Sequence, residues 1–289
     1  MLDIWIQAIR PRTLVAAIFP VAIGTSLAYD MGRFALLPAF LCLGFALLIQ
    51  IGTNFANDYF DYKKGADTPD RIGPLRAVAS GLVEPRTMLW AMIIVLILAF
   101  LTGLALLPHG GPLLLCVGII SLLCAFGYTG GPFPLAYLGL GDIFVVTFFG
   151  LVAVSFTFFV QAGIFTQDAC LAGMAIGLII NNLLVVNNYR DVEEDRRSSK
   201  RTLTVRFGRR FSLWQFWVQT FGAGLCTIFI SALNNWFWLL AVIVLSFIGQ
   251  RVTTMLQGAV TTLEYKECLA NASLMTPVFG IMLCVGILL

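Results

Sequence analysis

The sequence is poor in charged residues. Asp, Glu, Lys and Arg make up 11% of its 289 residues, whereas 59% are hydrophobic, and the mean hydropathy is +0.91. Soluble globular domains carry about 25% charged residues. A chain with so few polar side chains cannot cover its surface in water. The composition therefore excludes an ordinary soluble protein and indicates an integral membrane protein.

Ligands for soft metals are also scarce. The chain has one histidine, His109, and its seven cysteines form no CxxC pair. Most of these cysteines lie inside apolar runs, which favours a packing role over a zinc site or a disulfide framework. The sequence also lacks the short alternating segments of an outer-membrane barrel, internal repeats and low-complexity stretches. We therefore expect a single all-α transmembrane domain over residues 1–289.

Nine apolar runs are long enough to cross a bilayer, which takes roughly 20 residues per helix. They predict a bundle of about nine transmembrane helices. The seventh and eighth runs are separated only by Asn234-Asn235. The runs are Thr13–Tyr29, Leu36–Ala56, Met88–Leu107, Gly111–Tyr128, Asp142–Gly163, Ala169–Asn188, Leu213–Leu233, Trp236–Thr254 and Asn271–Leu289.

The basic residues predict the orientation of these helices, because cytoplasmic loops collect Lys and Arg. With a cytoplasmic N-terminus, seventeen of the eighteen Lys and Arg residues fall on the inner side, and only Arg33 falls outside. We therefore expect a multi-pass protein of the inner (plasma) membrane with its C-terminus outside. Because topology accounts for the positive loops, the net charge of +3 gives no reason to expect a nucleic-acid partner.

Two predicted cytoplasmic segments, Asn57–Arg86 and Asn187–Arg210, contain nine of the fifteen acidic residues. Where the second and sixth helices enter them, polar residues recur every three or four positions and so line one helix face. Such a face is costly in a membrane unless it meets a cavity or partner groups, which makes it a functional candidate. The two faces comprise Gln50, Asn54, Asn57, Asp58 and Asp61, and Asn181, Asn188, Asp191 and Asp195.

Other acids of these segments have two equally good interpretations, as functional groups or as solvated loop charges. They are Asp67, Asp70, Glu193 and Glu194. Carboxylate and amide oxygens without His or Cys suit Mg²⁺, which proteins usually hold with one or two carboxylates plus substrate phosphates. Neighbouring cations can bind the same phosphates. These cations are Lys63, Lys64, Arg71, Arg76, Lys200 and Arg201. A lipid diphosphate is the substrate class that fits this chemistry and the apolar helices.

Four motifs occur in a fixed order along most of the chain. They are RPRTL from Arg10, NDYFDYKKGADTPDRIGPLR from Asn57, YTGGPFPLAYLGLGD from Tyr128 with a following FFG, and NNYRDVEEDRRSSKRTLTVRFG from Asn187. In these motifs the chain resembles the UbiA superfamily of intramembrane aromatic prenyltransferases. It is most similar to the branch whose aromatic acceptor is 1,4-dihydroxy-2-naphthoate.

The resemblance implies a site. Asp58 and Asp61, with Asp191 and Asp195, would bind Mg²⁺ and the diphosphate of a polyprenyl donor. Asn54 would lie near the reacting carbon. Together with Tyr128, these residues would form the catalytic set. The expected substrate-binding residues are Arg12, Asn57, Lys64, Asp67, Arg71, Arg76, Asn188, Lys200 and Arg201.

The sequence departs from the general superfamily pattern at three places. Gly65 stands where a third aspartate is usual, with Asp67 two residues later, and Ser199 stands four residues after Asp195. Gly130-Gly131-Pro132 follows Tyr128 where some relatives have a lysine. The naphthoate branch shares the shifted aspartate and the glycine-rich loop. The role of the Tyr128 loop in phosphate binding stays open.

The implied fold is a bundle of nine helices around a cavity open to lipid. The implied reaction transfers the polyprenyl chain to dihydroxynaphthoate with loss of CO₂ and diphosphate. Alternatives are a 4-hydroxybenzoate, homogentisate or haem prenyltransferase, a transporter, and a purely structural membrane protein. The acids cluster at one membrane face and the helices show no two-half symmetry, which disfavours a transporter. The sequence does not specify the length of the isoprenoid chain, the oligomeric state or any proton acceptor.

Overall fold

The computed structural model describes residues 2–67, 76–234 and 236–289, and every regular element within these ranges is a helix. The helices are α1 (Leu2–Ile9), α2 (Pro11–Asp30), α3 (Leu36–Lys63), α4 (Pro85–Leu104), α5 (Leu107–Gly110), α6 (Pro112–Gly127), α7 (Gly141–Val145), α8 (Ala153–Ala162), α9 (Gln167–Arg190), α10 (Val192–Arg197), α11 (Leu203–Phe207), α12 (Arg209–Thr227), α13 (Phe237–Gly258) and α14 (Thr262–Leu288). A π-helical segment, Val146–Val152, joins α7 to α8.

The predicted membrane spans are confirmed in outline. Seven helical spans in the described ranges are long and apolar enough to cross a bilayer: α2, α3, α4, the continuous Gly141–Ala162, α9, α13 and α14. The other two predicted runs coincide with α6, which is apolar but has 16 residues, and with α12, which is less apolar. The break at Asn234 is also confirmed, because turns separate α12 from α13. The chain is a multi-pass membrane protein.

Helix ends differ from the predicted runs where local polar groups control them. Helix α14 begins nine residues before the apolar run, because Thr261 and Glu264 form a capping box that starts the helix outside the apolar segment. Helix α3 continues about two turns past Ala56, to Lys63. This extension carries the first acidic face beyond the apolar part of the helix.

Glycines bring α9 unusually close to the π-helical segment. A Cβ atom on Gly150 would lie 2.4 Å from the carbonyl oxygen of Gly173 and 2.7 Å from the Cα of Gly177. Backbones can approach this closely only where side chains are absent, a common arrangement between membrane helices. The contact fixes α9, which carries the second acidic face, against the π-helical segment, which contains Phe148, and α7, which contains Phe144. π-Helical turns are frequent at functional sites.

The buried side chains form two large groups. The larger lies around α9 and includes residues of α2, α8, α12, α13 and α14. The smaller joins α3, α4 and α1 and includes Phe55 and Met88. Large apolar side chains such as Trp90, Leu123 and Phe247 are exposed on the outside of the bundle, as expected of a surface that faces lipid. A third, smaller group lines a cavity; its members are Val21, Cys42, Leu106, Leu114 and Val160.

Candidate functional site

The cavity has a volume of about 730 Å³, with a polar and an apolar end. Helices α2, α3, α6, α8 and α9 and the π-helical segment contribute to its wall. Polar residues at one end include Asn54, Asn57, Asp61, Arg76, Tyr128, Asn187, Asn188, Arg190, Asp191 and Lys200. Apolar residues include Cys42, Phe45, Leu106, Leu114, Phe148, Phe156 and Val160. A ligand with an anionic head and a long apolar body matches this division.

Asp58 anchors the segment that follows the first acidic motif. Its side chain is 1% exposed, and its two carboxylate oxygens accept hydrogen bonds from the backbone N–H groups of Ala77 and Val78, each at 3.0 Å. Asp58 is absent from the cavity wall. Its described contacts therefore hold the chain next to Arg76 against the end of α3, which places the Arg76 guanidinium beside the cavity.

Asp61, one turn after Asp58, does line the cavity. The Arg76 Nη2 atom lies 3.5 Å from its Oδ2, and the Arg76 Nε atom lies 3.4 Å from Oδ2 of Asp67. The hydroxyl of Tyr137 donates a hydrogen bond to Asp61 Oδ1 at 2.9 Å. One arginine thus compensates two carboxylates, of which Asp61 lines the cavity and Asp67 does not. Arg71 lies outside the described residues.

Asn54 lines the cavity and fixes the joint between α1 and α2. Its Nδ2 donates to the carbonyl of Ile9 at 2.7 Å and to the hydroxyl of Thr13 at 3.1 Å. Between these two residues Arg10 has a left-handed backbone with φ of 55°, which is rare for a residue other than glycine. The joint places Arg10 and Arg12 at the cavity wall.

The second acidic segment mirrors the first in having its own cations. Asp191 lines the cavity, and its two carboxylate oxygens accept hydrogen bonds from the guanidinium of the preceding Arg190. The Lys200 Nζ atom lies 3.3 Å from Asp195 Oδ1. Like Asp58, Asp195 is buried but absent from the cavity wall. Each motif therefore presents one carboxylate to the cavity and keeps another behind it.

The fold places the residues of the predicted polar face of α9 in two different environments. Asn188 and Asp191 line the cavity, whereas the Asn181 Nδ2 donates to Asp142 Oδ1 at 3.0 Å. The same oxygen accepts a hydrogen bond from Gln215. Sequence reasoning missed this second polar contact because α9 is surrounded by neighbours, so its polar residues meet partners in more than one direction.

The loop between α6 and α7 connects the two acidic segments. Thr129 donates from its hydroxyl to Asn57 Oδ1 at 2.9 Å, and Lys64 Nζ donates to the Thr129 carbonyl at 2.6 Å. On the other side, the Arg201 backbone N–H donates to the Tyr137 carbonyl at 2.9 Å. The exposed Arg201 side chain is absent from the cavity wall, so only its backbone takes part in these described contacts.

Burial and neighbouring carboxylates keep the hydroxyl groups of this loop protonated. Desolvation, followed by the charge of Asp142, raises the pKa of Tyr128; desolvation, followed by the charge of Asp61, raises the pKa of Tyr137. Desolvation acts to lower the pKa of Lys200, but nearby carboxylates, led by Asp195, outweigh it and leave that pKa above its usual value. The Lys200 side chain is therefore a cation at neutral pH.

The described residues contain no group of three or more His, Cys, Asp and Glu side chains close enough to hold a metal alone. Two cavity carboxylates, Asp61 and Asp191, are nevertheless present, with the amide oxygens of Asn57 and Asn188 in the same wall. This oxygen-only set fits Mg²⁺, because Mg²⁺ keeps waters and completes its shell with substrate phosphates. It does not fit a metal that requires a full protein cage.

Comparison with known proteins agrees with this geometry. A model of the UbiA prenyltransferase family matches residues 17–259. The 1,4-dihydroxy-2-naphthoate octaprenyltransferase of Escherichia coli (strain K12) is 41% identical over 210 residues, covering 71% of this chain and 68% of that relative. The enzyme of the same name from Mycobacterium tuberculosis is 42% identical over 204 residues, covering 71% and 70%.

Solved structures share the fold. A UbiA homolog from Archaeoglobus fulgidus bound to GPP and Mg²⁺ superposes with a TM-score of 0.68 at 13% identity, covering 98% of this chain and 99% of that chain. The same homolog bound to DMAPP and Mg²⁺ gives a TM-score of 0.65 at 14% identity, covering 97% and 99%. With both the family match and these relatives in hand, the chain belongs to the UbiA prenyltransferase family.

Proposed function

We propose that this chain transfers a polyprenyl group from an allylic diphosphate to 1,4-dihydroxy-2-naphthoate, giving demethylmenaquinol, the reduced form of demethylmenaquinone. The observation that carries the proposal is the cavity. It has two carboxylates, Asp61 and Asp191, and several cations at one end, and apolar walls at the other. Naphthoate as the acceptor is supported by the names of the relatives that are 41% and 42% identical.

In this reaction the allylic C–O bond breaks, and its electron pair leaves with the diphosphate. The ring carbon that bears the carboxylate forms the new C–C bond. The carboxylate then departs as CO₂ and returns an electron pair to the ring, so no external base is consumed. The apolar cavity wall would keep water from the allylic cation, and the faces of Tyr128, Phe144 and Phe148 would stabilise its charge.

We propose that Asp61 and Asp191 bind Mg²⁺ at the cavity wall. Asp58 and Asp195, the other members of the two pairs, lie buried behind that wall. When bound, the metal would neutralise charge on the leaving diphosphate. Arg76 and Lys200 would bind phosphate oxygens directly, assisted by Lys64. Asn54 would orient the reacting carbon near the α1–α2 joint. Arg12, Asn57 and Asn188, which line the same wall, would complete substrate binding.

The test is an assay of purified protein in lipid with one allylic diphosphate and three separate acceptors. These acceptors are carboxyl-labelled 1,4-dihydroxy-2-naphthoate, 4-hydroxybenzoate and homogentisate. We expect prenylated product and labelled CO₂ in equal amounts from the naphthoate, and far slower turnover of the other two. Faster prenylation of 4-hydroxybenzoate, with its carboxylate retained, would replace our acceptor with the alternative.

We also propose that residues 1–289 form one domain, with the N-terminus and both acidic segments on the cytoplasmic side of the plasma membrane. The partition of basic residues supports this orientation. A reporter that functions only outside the cytoplasm should therefore be active when it is fused after Leu289, and one that functions only in the cytoplasm should be inactive there. Activity of a cytoplasm-only reporter at this position would show that the number of spans, or their direction, is wrong.

A further inference from the structure

Tyr137 lies behind the polar end of the cavity, and no sequence pattern had singled it out. Its side chain is buried and is absent from the cavity wall. Its hydroxyl donates to Asp61 Oδ1 at 2.9 Å, so it contacts the cavity carboxylate of the first acidic segment. This hydrogen bond fixes the direction in which the Asp61 carboxylate faces.

The ring of Tyr137 meets one cation from each acidic segment. The Nζ atom of Lys64 lies 4.3 Å from the ring centroid, and the Nζ atom of Lys200 lies 6.0 Å from it. Both distances fall within the range in which an aromatic face attracts a cation. The ring thus attracts two like charges, which repel each other.

The backbone fixes this ring in position. The Tyr137 carbonyl accepts a hydrogen bond from the Arg201 N–H, and the Leu138 carbonyl accepts one from Arg206 Nη2 at 2.7 Å. These contacts tie the loop between α6 and α7 to the chain that follows α10. Tyr137 is therefore attached to the second acidic segment through its backbone and to the first through its hydroxyl.

We propose that Tyr137 is a positioning residue that holds Asp61, Lys64 and Lys200 in the arrangement required to bind a magnesium diphosphate. This inference rests on the proposed function. The hydroxyl would orient Asp61 for metal binding, and the ring would hold the ammonium groups of Lys64, which lies outside the cavity wall, and of Lys200, which lines it, near the bound diphosphate. Tyr137 is absent from the cavity wall, so its effect is transmitted through these three side chains.

Two substitutions separate the effect of the hydroxyl on Asp61 from the effect of the ring on the two lysines. Tyr137→Phe keeps the ring and removes the hydroxyl, whereas Tyr137→Leu removes both. The matched control is Tyr189→Leu, because Tyr189 is also buried and also contacts a cation, with the Arg209 guanidinium 5.2 Å from its ring. Tyr189 and Arg209 are both absent from the cavity wall, so this control removes a comparable contact outside the cavity.

The direct readout is equilibrium binding of a prenyl thiodiphosphate, a slowly reacting donor analogue, at varied Mg²⁺ concentration. For Tyr137→Phe we expect the half-saturating Mg²⁺ concentration to rise about 10-fold, with binding at saturating Mg²⁺ within about 3-fold of wild type. For Tyr137→Leu we expect binding at saturating Mg²⁺ to weaken about 10-fold, because two cation–π contacts are lost. The KM for the aromatic acceptor and the binding by Tyr189→Leu should change less than about 3-fold.

Wild-type affinity in both Tyr137 variants would overturn the inference, as would equal losses for donor analogue and acceptor. If Tyr137→Leu does not fold, the Mg²⁺ dependence of the nearly isosteric Tyr137→Phe decides, and an unchanged value rejects the role of the hydroxyl. Failure of the wild-type protein to bind the magnesium thiodiphosphate would instead reject the proposed function.

Discussion

Replacement of Asp191 by Asn is expected to lower kcat by about 10³-fold in protein that still inserts and folds. Asp191 lines the cavity and is adjacent to Arg190, so the substitution removes one negative charge and leaves a buried arginine beside it. Loss of this carboxylate would weaken Mg²⁺ binding and would change the net charge around the diphosphate. The measurement is steady-state turnover at varied Mg²⁺ in purified protein.

The matched control is Glu193→Gln in the same segment. Glu193 is an exposed acid whose Oε2 lies 2.9 Å from Arg196 Nη1, and such surface pairs contribute little. We expect its turnover to stay within about 2-fold of wild type. Wild-type activity must also disappear in excess EDTA and return with Mg²⁺ or Mn²⁺. Full turnover in EDTA, or equal effects of the two substitutions, would remove the metal role.

Asp58 is a less direct test of metal binding, although the sequence places it in the first pair. Both of its oxygens accept backbone N–H groups. An asparagine there would turn its amide group toward one of these donors, and an unsatisfied buried donor costs about 1–3 kcal/mol. Loss of activity in Asp58→Asn would therefore combine displacement of the Arg76 segment with loss of a proposed metal ligand.

The contrast between Asp58 and Asp61 shows where sequence reasoning stops. Helical periodicity places both residues on one side of α3, and hydropathy shows that this side is unusual in a membrane helix. Periodicity cannot show which carboxylate faces the cavity, because that depends on the chain that packs over the helix end. Here Ala77 and Val78 pack over Asp58, and Asp61 is left at the wall.

The spans themselves could be predicted because lipid imposes both a length and an apolar composition on each helix. Hydropathy alone did not locate the helix ends, since Thr261 caps α14 by a local hydrogen bond outside the apolar run. Tyr137 could not be predicted for a different reason. Its partners Asp61 and Lys200 are 76 and 63 positions away in the chain, and only the folded loop brings them together.

The last prediction concerns the cations of the two acidic segments. Arg76 and Lys200 line the cavity and pair with carboxylates of the first and second segment, respectively. If they contact the diphosphate, each neutral replacement should cost a charge-assisted hydrogen bond of about 1.5–3 kcal/mol. We therefore expect Arg76→Gln and Lys200→Gln to lower kcat/KM for the prenyl diphosphate by about 10- to 100-fold.

The matched control is Arg209→Gln, because Arg209 contacts the ring and the carbonyl of Tyr189 and is absent from the cavity wall. Its kcat/KM should change by less than about 3-fold. Steady-state kinetics with each substrate varied separately provide the measurement. Equal, small losses in all three variants would make these cations topological anchors only.

Of the two cations, Arg76 should show the larger loss. Its guanidinium lies near both Asp61 and Asp67, so glutamine would leave two buried carboxylates without this compensation, whereas Lys200 forms one such ion pair in the described chain. A loss confined to the naphthoate would reassign Arg76, because this acceptor is itself an anion and the arginine fork suits its carboxylate. The diphosphate would then depend on Lys200 and Lys64, the two cations adjacent to the ring of Tyr137.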